Sequence, residues 1–412
     1  MSSPRSAQPG PYRVLTAQTL YTPEEIPGPA SVVFAGHRIH AIWRDTDART
    51  ARQRARDTRF GPSTEFIDLG PLRLAPGYID LHDHGFHGHD ITAGTREDIA
   101  TMAAELPRSG TTAFFPTIAT TGRDETAQHV RFCVEVTERG QPGASAEILG
   151  IRMEGPFIST VKKGAQYAPA IRPPDPDEMR ELARIGRGKI RLVDFAPEED
   201  VDGRLLATLV ELGILPCIGH TNATYEQAIR AIDGGARHCT HLFNAMSPLE
   251  HRAAGVPGAM LTDHRATVEM VADGIHLSPA LLKLVVAARG VDNVALITDA
   301  VGVAGLPDGE YEFIKRKVIV SNGAVRLEDG TIAGSTLTME RAVRNMVTLA
   351  GCSWPDAIRM ATLTPARIAR VDDRKGQIVP GADADVVAID HHGVVQRVWT
   401  RGSDAYQRAQ EG

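Results

Sequence analysis

The chain has 412 residues and a formal net charge of −6, and 42% of its residues are hydrophobic. This length accommodates a barrel of roughly 250 residues together with a second, smaller unit. The excess of acidic side chains argues against nucleic acid or an anionic membrane as a partner, and it favours a small-molecule substrate.

Two further features of the sequence predict a cytoplasmic enzyme. The N-terminal sequence MSSPRSAQPGPYRV lacks the apolar segment of a secretory signal, and the chain has no apolar run of about 18 residues that would span a membrane. The four cysteines are widely spaced and form no C-x-x-C pair. That spacing is typical of reduced thiols rather than of a disulfide framework.

Short strand-like runs open the chain. Residues 12–75 contain apolar and β-branched stretches such as Val14-Leu15-Thr16 and 31–34, with glycine and proline between them. Short apolar runs separated by glycine and proline predict antiparallel strands of a small sheet.

The middle of the chain alternates short apolar runs with segments that are apolar at helical spacing. This alternation predicts a parallel sheet with crossover helices. Eight such units within 76–307 match a (β/α)8 barrel, whereas an open doubly wound sheet normally has about six strands and a glycine-rich first turn. The runs are GYIDLHDH (77–84), TTAFFPTIA (111–119), AEILGIRME (146–154), IRLVDFAPE (190–198), ILPCIGH (214–220), ARHCTHLF (236–243), ATVEMVADG (266–274) and NVALITDA (293–300).

Strand-like runs return near the C-terminus, over 310–334 and 375–390. We therefore predict an α/β protein in which a small β-sandwich domain, built from 12–75 and 308–402, flanks the inserted barrel. Part of 336–370 is expected to be helical and to pack on the barrel.

His82 and His84 alternate along the first predicted barrel strand, so both imidazoles lie on one face. One H-x-H pair is weak evidence for a metal site, but other ligand-type residues recur near strand ends, where barrel enzymes place their active sites. These residues are Glu154 at the third strand, His220 at the fifth, Asp299 at the eighth, and His241 two residues before the assigned end of the sixth.

Each of these residues has a common structural role when taken alone. A buried histidine is more often hydrogen-bonded than ligating, Glu154 before Gly-Pro is typical of a turn, and Asp299 suits a helix cap. The set as a whole favours a divalent metal site. A bound ion lowers the pKa of water and polarises a carbonyl, and Asp299 can then act as base and acid. The predicted reaction is metal-assisted hydrolysis of an amide.

Ten motifs run in order from about residue 75 to residue 390. They are PGYIDLHDHG, MEGPF, KKGAQ, GHTNATYEQA, THLFNAMSPL, HRAAGVPGA, ADGIHLSP, LITDAVGVAG, IAGSTLTM and GADADVV. Together they resemble the N-acetylglucosamine-6-phosphate deacetylase family of the amidohydrolase superfamily, and GHTNAT, THLFNAM and ADGIH are its most specific motifs.

The resemblance implies a (β/α)8 barrel with a small β-sandwich, usually a homodimer, that removes acetate from N-acetylglucosamine 6-phosphate. It assigns Glu154, His220 and His241 as metal ligands and Asp299 as the catalytic acid and base. Because the H-x-H pair is present, one or two ions per subunit are expected, with zinc or iron ahead of cobalt or manganese.

The resemblance also implies a set of substrate contacts. Among them, Arg252 is the expected phosphate partner, since a guanidinium offers a fork of donors to phosphate oxygens. The full set is Ala165, Gln166, Asn244, Ala245, Arg252, His276, Ile332, Ala333 and Gly334.

The sequence departs from the family at Gln166. The family motif reads K-K-G-x-His, and its histidine helps to polarise the acetamide carbonyl, whereas this chain has Lys162-Lys163-Gly164-Ala165-Gln166. Glutamine donates an N–H but is neutral, and losing a charged donor costs on the order of a few kcal/mol in the transition state. A second ion that compensates, a slower enzyme and a different N-acyl amino sugar as substrate are all consistent with this change.

Two other hypotheses fit the sequence less well. Dihydroorotase-like amidohydrolases use a modified lysine at the end of the fourth strand, and the run 190–198 contains no lysine. A non-catalytic protein with the same barrel would be expected to lose ligands, and here only Gln166 departs from the family.

Overall fold

The computed structural model describes residues 11–22, 24–58, 60–313 and 316–409. Residues 1–10, on which much of the expected absence of a secretory signal rests, lie outside these ranges. Among the described residues, no helix is both long and apolar enough to cross a membrane.

The N-terminal region contributes strands to two sheets. Its elements are β1 (Tyr12–Ala17), β2 (Thr19–Tyr21), β3 (Glu25–Ile26), β4 (Ala30–Ala35), β5 (Arg38–Trp43), α1 (Ala48–Asp57), β6 (Glu65–Asp68) and β7 (Arg73–Pro76). The prediction of purely antiparallel strands is wrong, because β1 pairs in parallel with β6 and β2 in parallel with β7. The chain passes through α1 before β6 and β7, and so it returns beside β1 and β2 in the same direction.

The barrel follows, and all eight predicted strands are confirmed. Its elements are β8 (Tyr78–Asp83), β9 (Gly85–Phe86), β10 (His89–Asp90), α2 (Arg96–Glu105), β11 (Thr111–Ile118), α3 (Arg123–Arg139), β12 (Glu147–Ile148), β13 (Ile151–Met153), α4 (Pro176–Gly186), β14 (Ile190–Phe195), α5 (Arg204–Glu211), β15 (Leu215–Ile218), α6 (Tyr225–Gly234), β16 (His238–Cys239), α7 (Gly255–Thr262), β17 (Thr267–Val271), α8 (Pro279–Arg289) and β18 (Val294–Ile297). The short strands β12 and β13 together form the third barrel strand.

Every pairing between the eight barrel strands is parallel, whereas β9 and β10 form a separate antiparallel pair. The barrel closes just beyond β18, where the Asp299 N–H donates to the carbonyl oxygen of His82 at 2.9 Å. Beside this bond, the Thr298 hydroxyl donates to Asp80 at 2.6 Å. Closure therefore places Asp299, two residues beyond the last strand, against the H-x-H pair of the first strand.

After the barrel, the strands of the predicted 308–402 segment divide between two sheets, which the prediction did not anticipate. Its elements are β19 (Gly309–Phe313), β20 (Arg316–Ser321), β21 (Ala324–Leu327), β22 (Ile332–Ser335), α9 (Met339–Thr348), α10 (Trp354–Ala361), α11 (Leu363–Ile368), β23 (Val386–Ile389), β24 (Val395–Thr400) and β25 (Ser403–Gln407). Only β23–β25 join the sandwich, in a sheet of order β25-β24-β23-β7-β2-β3 that faces β5-β4-β1-β6 across a core containing Leu15, Phe34 and Trp399.

The other elements belong with the barrel. Strands β19–β22 form a separate antiparallel sheet, whose core includes Val318, Val325 and the barrel-loop residue Val301. Helices α9 and α10 bury Met339 and Ala357 in the barrel core. Sequence patterns could not divide this segment, because a short apolar strand reads the same whichever sheet it joins.

Candidate metal centre

The ligand-type residues all lie just beyond or at the C-terminal ends of barrel strands. Glu154 follows β13, His220 follows β15, His241 follows β16 and Asp299 follows β18. Three of these four have left-handed backbone conformations, with φ of 46° at His220, 27° at His241 and 49° at Asp299. Such conformations cost about 1–3 kcal/mol each in non-glycine residues and concentrate at functional sites.

One set of three ligand-type residues converges on a single point. Glu154 Oε1 lies 3.0 Å from His220 Nε2 and 3.1 Å from His241 Nε2, and the two nitrogens are 3.2 Å apart. Ligand atoms about 2.0 Å from a tetrahedral zinc ion are separated by about 3.3 Å. The spacing of the three atoms therefore fits a divalent metal ion.

A second set shares Glu154 and lies beside the first. The Nε2 atoms of His82 and His84 are 3.0 Å apart, and they lie 3.4 and 3.5 Å from Asp299 Oδ1. Glu154 Oε2 is 3.1 Å from His84 Nε2, whereas Glu154 Oε1 is 3.5 Å from His82 Nε2. Glu154 Oε1 thus lies near histidines of both sets, and Oε2 lies near His84, so this carboxylate is available to both sets.

Hydrogen bonds at Nδ1 of two of the histidines leave Nε2 as the nitrogen that can bind a metal. His84 Nδ1 lies 3.1 Å from the Thr117 carbonyl oxygen, and His220 Nδ1 lies 3.0 Å from that of Lys162. A carbonyl oxygen only accepts, so each Nδ1 carries a proton, and in the neutral form of each ring the free lone pair is on Nε2. His241 Nδ1 is buried without a hydrogen-bond partner among the described residues.

The pKa values show that the cluster attracts positive charge. Burial raises the pKa of Asp299, but His82 and His84 outweigh burial and lower it to about 2. Burial and Arg152 lower the pKa of His82, but Asp299 and Glu154 raise it to about 9. At neutral pH the ion-free centre therefore holds ionised carboxylates and compensating protons on imidazoles. A divalent cation can replace those protons.

Both sets open into a cavity of about 250 Å³, which is concave and bordered by both apolar and polar side chains, as small-molecule sites are. Gly334 forms part of its wall with a φ of 72°, and a Cβ there would lie 2.5 Å from Val301 Cγ1 and 3.0 Å from the Asp299 carbonyl oxygen. Only glycine allows the chain to pass so close to Asp299. Of the expected substrate contacts, Ala165, Gln166, Asn244, Ala245, His276, Ile332 and Gly334 line the cavity.

Two expected substrate contacts lie elsewhere. Arg252 is exposed and is not part of the cavity lining, and Ala333 is fully buried in the core of the β19–β22 sheet. Ala333 lies between Ile332 and Gly334 on β22, and alternation along a strand turns its side chain away from the cavity. His87 and His89 follow the H-x-H pair in the sequence, but they pair with Glu105 at 3.5 Å and Asp98 at 2.8 Å rather than with the ligand-type residues.

Gln166 is held at both ends of its amide. Its Oε1 accepts a hydrogen bond from the Thr120 backbone N–H at 2.8 Å, and its Nε2 donates to Glu154 Oε2. The side chain is buried but still borders the cavity. Gln166 thus contacts the carboxylate that both ligand sets share, which the sequence did not predict.

Beneath the ligands lies a buried charge network that the sequence analysis missed. The Arg152 guanidinium contacts the carboxylates of Asp194 and Glu269, and all three side chains are fully buried. The sequence carried a signal, since each is a charged residue within a mainly apolar strand: Arg152 in β13, Asp194 in β14 and Glu269 in β17.

Comparison with known proteins agrees with this geometry. The model of the amidohydrolase family matches residues 73–403. An N-acetylglucosamine-6-phosphate deacetylase of Bacillus subtilis is 38% identical over 81% of this chain and 84% of that protein. An N-acetylgalactosamine-6-phosphate deacetylase of Escherichia coli O157:H7 is 36% identical over 80% of this chain and 86% of that protein.

Solved structures extend the likeness to the whole fold. A mutant N-acetyl-D-glucosamine-6-phosphate deacetylase from Mycobacterium smegmatis, in complex with N-acetyl-D-glucosamine-6-phosphate, superposes with a TM-score of 0.88 at 33% identity. The match covers 97% of this chain and 100% of that one. The chain therefore belongs to the amidohydrolase family and, within it, to the N-acetylglucosamine-6-phosphate deacetylases.

Proposed function

We propose that the chain hydrolyses the N-acetyl group of N-acetylglucosamine 6-phosphate, giving glucosamine 6-phosphate and acetate. One observation carries the proposal: Glu154 is shared by two histidine sets at the floor of a cavity that also exposes Asp299. This arrangement supplies both an ion-binding centre and a carboxylate for proton transfer, which amide hydrolysis requires. The named relatives support the substrate class.

Glu154, His220 and His241 would hold one divalent ion, and His82, His84 and Asp299 together with Glu154 would hold a second. When bound, such an ion polarises the amide carbonyl and lowers the pKa of water. Zinc or iron suits this mixture of imidazole and carboxylate ligands, and cobalt or manganese is compatible with it.

Asp299 is assigned the proton transfers. With its pKa lowered to about 2, its carboxylate is ionised at neutral pH and accepts a proton from the attacking water. The same carboxyl group then gives that proton to the sugar nitrogen as the amide bond breaks.

Gln166 is assigned a dual role. One hydrogen of its amide nitrogen is directed at Glu154, and the second is available to the acetamide oxygen of the substrate. The apolar side chains of Val301, Phe313 and Ile332 line the same cavity and exclude water from the reacting amide.

The sugar phosphate is assigned to His276 and Arg252. His276 Nδ1 lies 2.7 Å from Asp273 Oδ2. Although burial lowers the pKa of His276, this pairing raises it above its ordinary value, which favours a cationic imidazole facing an anion. Arg252 lies outside the cavity lining, and its role rests on the family motif alone.

A panel of sugars tests the substrate. We expect acetate release from N-acetylglucosamine 6-phosphate to exceed that from unphosphorylated N-acetylglucosamine, and chelation to abolish it until zinc is restored. Arg252→Met should raise the KM for the phosphorylated sugar and leave turnover of the unphosphorylated sugar unchanged. Equal activity on both sugars would remove the phosphate roles of Arg252 and His276.

A second candidate substrate is N-acetylgalactosamine 6-phosphate, which differs at one hydroxyl of the ring. The relative named for this substrate is 36% identical, close to the 38% of the relative named for the glucosamine compound. Comparing kcat/KM for the two sugar phosphates on the same enzyme preparation decides between them. A higher kcat/KM for the galactosamine compound would make it the substrate.

We also propose a cytoplasmic homodimer. All four cysteines are free, three of them buried, which fits a reducing compartment. The homodimer is carried over from the family resemblance, and light scattering of the purified protein measures it.

A further inference from the structure

The buried network beneath the metal centre contacts both ligand sets. Glu269 lies on β17, in the barrel interior, and its side chain is fully buried. The residue is neither a candidate metal ligand nor part of the cavity lining. It nevertheless contacts His82 of one set and His241 of the other.

The two carboxylate oxygens of Glu269 have different partners. Oε1 accepts from the Arg152 guanidinium and lies 2.9 Å from His238 Nε2. Oε2 faces the candidate metal centre. It lies 3.5 Å from His82 Nδ1 and accepts a hydrogen bond from the backbone N–H of His241 at 3.3 Å. One oxygen is thus anchored in the barrel and the other is directed at the ligands.

The contact with His82 decides which of its nitrogens carries the proton. His82 Nε2 faces Glu154 and Asp299, and it must have a free lone pair to bind an ion. The proton then has to lie on Nδ1, and the group facing Nδ1 is the acceptor Glu269 Oε2. A carboxylate in this position favours the ligating tautomer and orients the ring.

We infer that Glu269 is a positioning residue that fixes the His82 tautomer and the His241 backbone, and so couples the two metal-ligand sets. The inference rests on the proposed metal centre, and it extends that proposal to the barrel interior. Arg152 in turn fixes Glu269, because its guanidinium is shared between Glu269 and Asp194.

Glu269→Gln tests the inference, with Asp194→Asn as the matched control. In this variant the amide oxygen is expected to keep the contacts with Arg152 and His238. The amide NH2 then faces His82 Nδ1–H and the His241 N–H, and because all of these groups are donors, both hydrogen bonds are lost. Asp194→Asn removes one negative charge beside the same arginine. Asp194 contacts Arg152 but, among the described residues, it has no hydrogen bond to His82 or His241.

Zinc affinity and stoichiometry of the full chain are the readout, measured by competition with a chromophoric chelator. We expect Glu269→Gln to weaken the more weakly bound ion about 10- to 100-fold. Asp194→Asn should change it by less than about threefold. If Glu269→Gln does not fold, Glu269→Asp keeps the charge but shortens the reach, and it should weaken zinc less than tenfold yet more than the control does.

The outcomes separate this inference from the proposed function. Equal weakening in Glu269→Gln and Asp194→Asn, or wild-type affinity in Glu269→Gln, would overturn the inference. Selective weakening supports it, even if the wild-type protein binds zinc but releases no acetate, in which case the proposed substrate alone is wrong. A wild-type chain that binds no zinc overturns both.

Discussion

The third barrel strand carries a glutamate near each end, and the two glutamates have opposite kinds of partner. Glu147 lies at its N-terminal end, in β12, and Glu154 follows its C-terminal end. Each glutamate forms ion pairs within a cluster of ionisable side chains. Comparing the two clusters shows how a buried carboxylate can serve either structure or chemistry.

The Glu147 cluster joins the barrel to the sandwich. Glu147 lies 2.6 Å from Arg374 and 2.9 Å from the Lys375 ammonium, and that ammonium also contacts Asp383 and Asp385. Burial alone raises the pKa of Glu147, but the two cations lower it to about 2. Here the chain provides its own permanent cations.

The Glu154 cluster has no such cation. Among the described residues, Glu154 and Asp299 form ion pairs only with histidines, whose charge depends on pH. A buried carboxylate without a permanent counter-charge is costly unless another cation binds. This difference supports a structural role for the Glu147 cluster and the proposed metal-binding role for the Glu154 cluster.

Replacing Asp299 should have the largest effect on activity. We expect Asp299→Asn to reduce acetate release about 10²- to 10⁴-fold, because an amide cannot transfer the proton. The variant should remain folded, since the backbone N–H of residue 299 still donates to the His82 carbonyl oxygen and the contacts that join the sandwich to the barrel are unchanged. Turnover and thermal unfolding of the same preparation measure both, and near-normal turnover would contradict the proposed mechanism.

Replacing Lys375 should have the largest effect on stability. Lys375→Met leaves Glu147, Asp383 and Asp385 with less counter-charge, and breaking a buried ion pair costs about 3–5 kcal/mol. The exposed Lys317–Glu310 pair, 2.9 Å apart with 44% and 66% of the side chains exposed, provides the control. Lys317→Met should cost below about 1 kcal/mol.

Denaturant unfolding measures the free energy of unfolding for both lysine variants. Activity per folded molecule should be unchanged in each, because neither lysine borders the cavity. A loss of turnover in folded Lys375→Met would show that the two charged clusters are not functionally separate.

Replacing Gln166 should have an intermediate effect that is confined to the metal centre. Gln166→Met keeps the length of the side chain but loses both the bond to Glu154 and the bond from Thr120. Removing a hydrogen bond to a metal ligand typically costs 10- to 100-fold in affinity or activity. Zinc titration measures the effect, and an unchanged zinc affinity would show that Gln166 acts on the substrate alone.

Zinc affinity should also change gradually with pH. In the ion-free protein the pKa of His82 is raised to about 9, so near pH 7 zinc must displace a proton. Affinity should rise with pH up to about 9, by at most about tenfold per unit for each proton released. Chelator competition at several pH values measures it, and a flat profile would contradict the shift.

The raised pKa of His82 also makes the stability of the ion-free protein depend on pH. This stability falls as the pH rises, whereas zinc affinity increases. A protonated His82 stabilises the folded chain, and this stabilisation is full below about pH 6.5 and is lost as the pH rises through about 9. We therefore expect the melting temperature of the ion-free protein to fall between those values. The zinc-loaded protein should show a smaller fall.

Much of this protein was predictable from local sequence. The eight barrel strands follow from short apolar runs between helical patterns, and Glu154, His220 and His241 follow from ligand-type residues near strand ends. The division of 308–402 was not predictable, because strand propensity does not say which sheet a strand joins. The interior charges Arg152 and Glu269 were visible as exceptions within apolar runs, but nothing local revealed their partners.

The sequence by itself determined which chemical groups stand at the ends of the barrel strands. Only the tertiary structure decided that Glu154 is shared by two ligand sets, that Gln166 is bound to Glu154, and that Arg252 lies outside the cavity. The physical reason is that closure of the barrel brings His82 within 3.4 Å of Asp299, although they lie at opposite ends of the barrel sequence. Contacts of that range depend on the packing of the whole barrel, which no local pattern encodes.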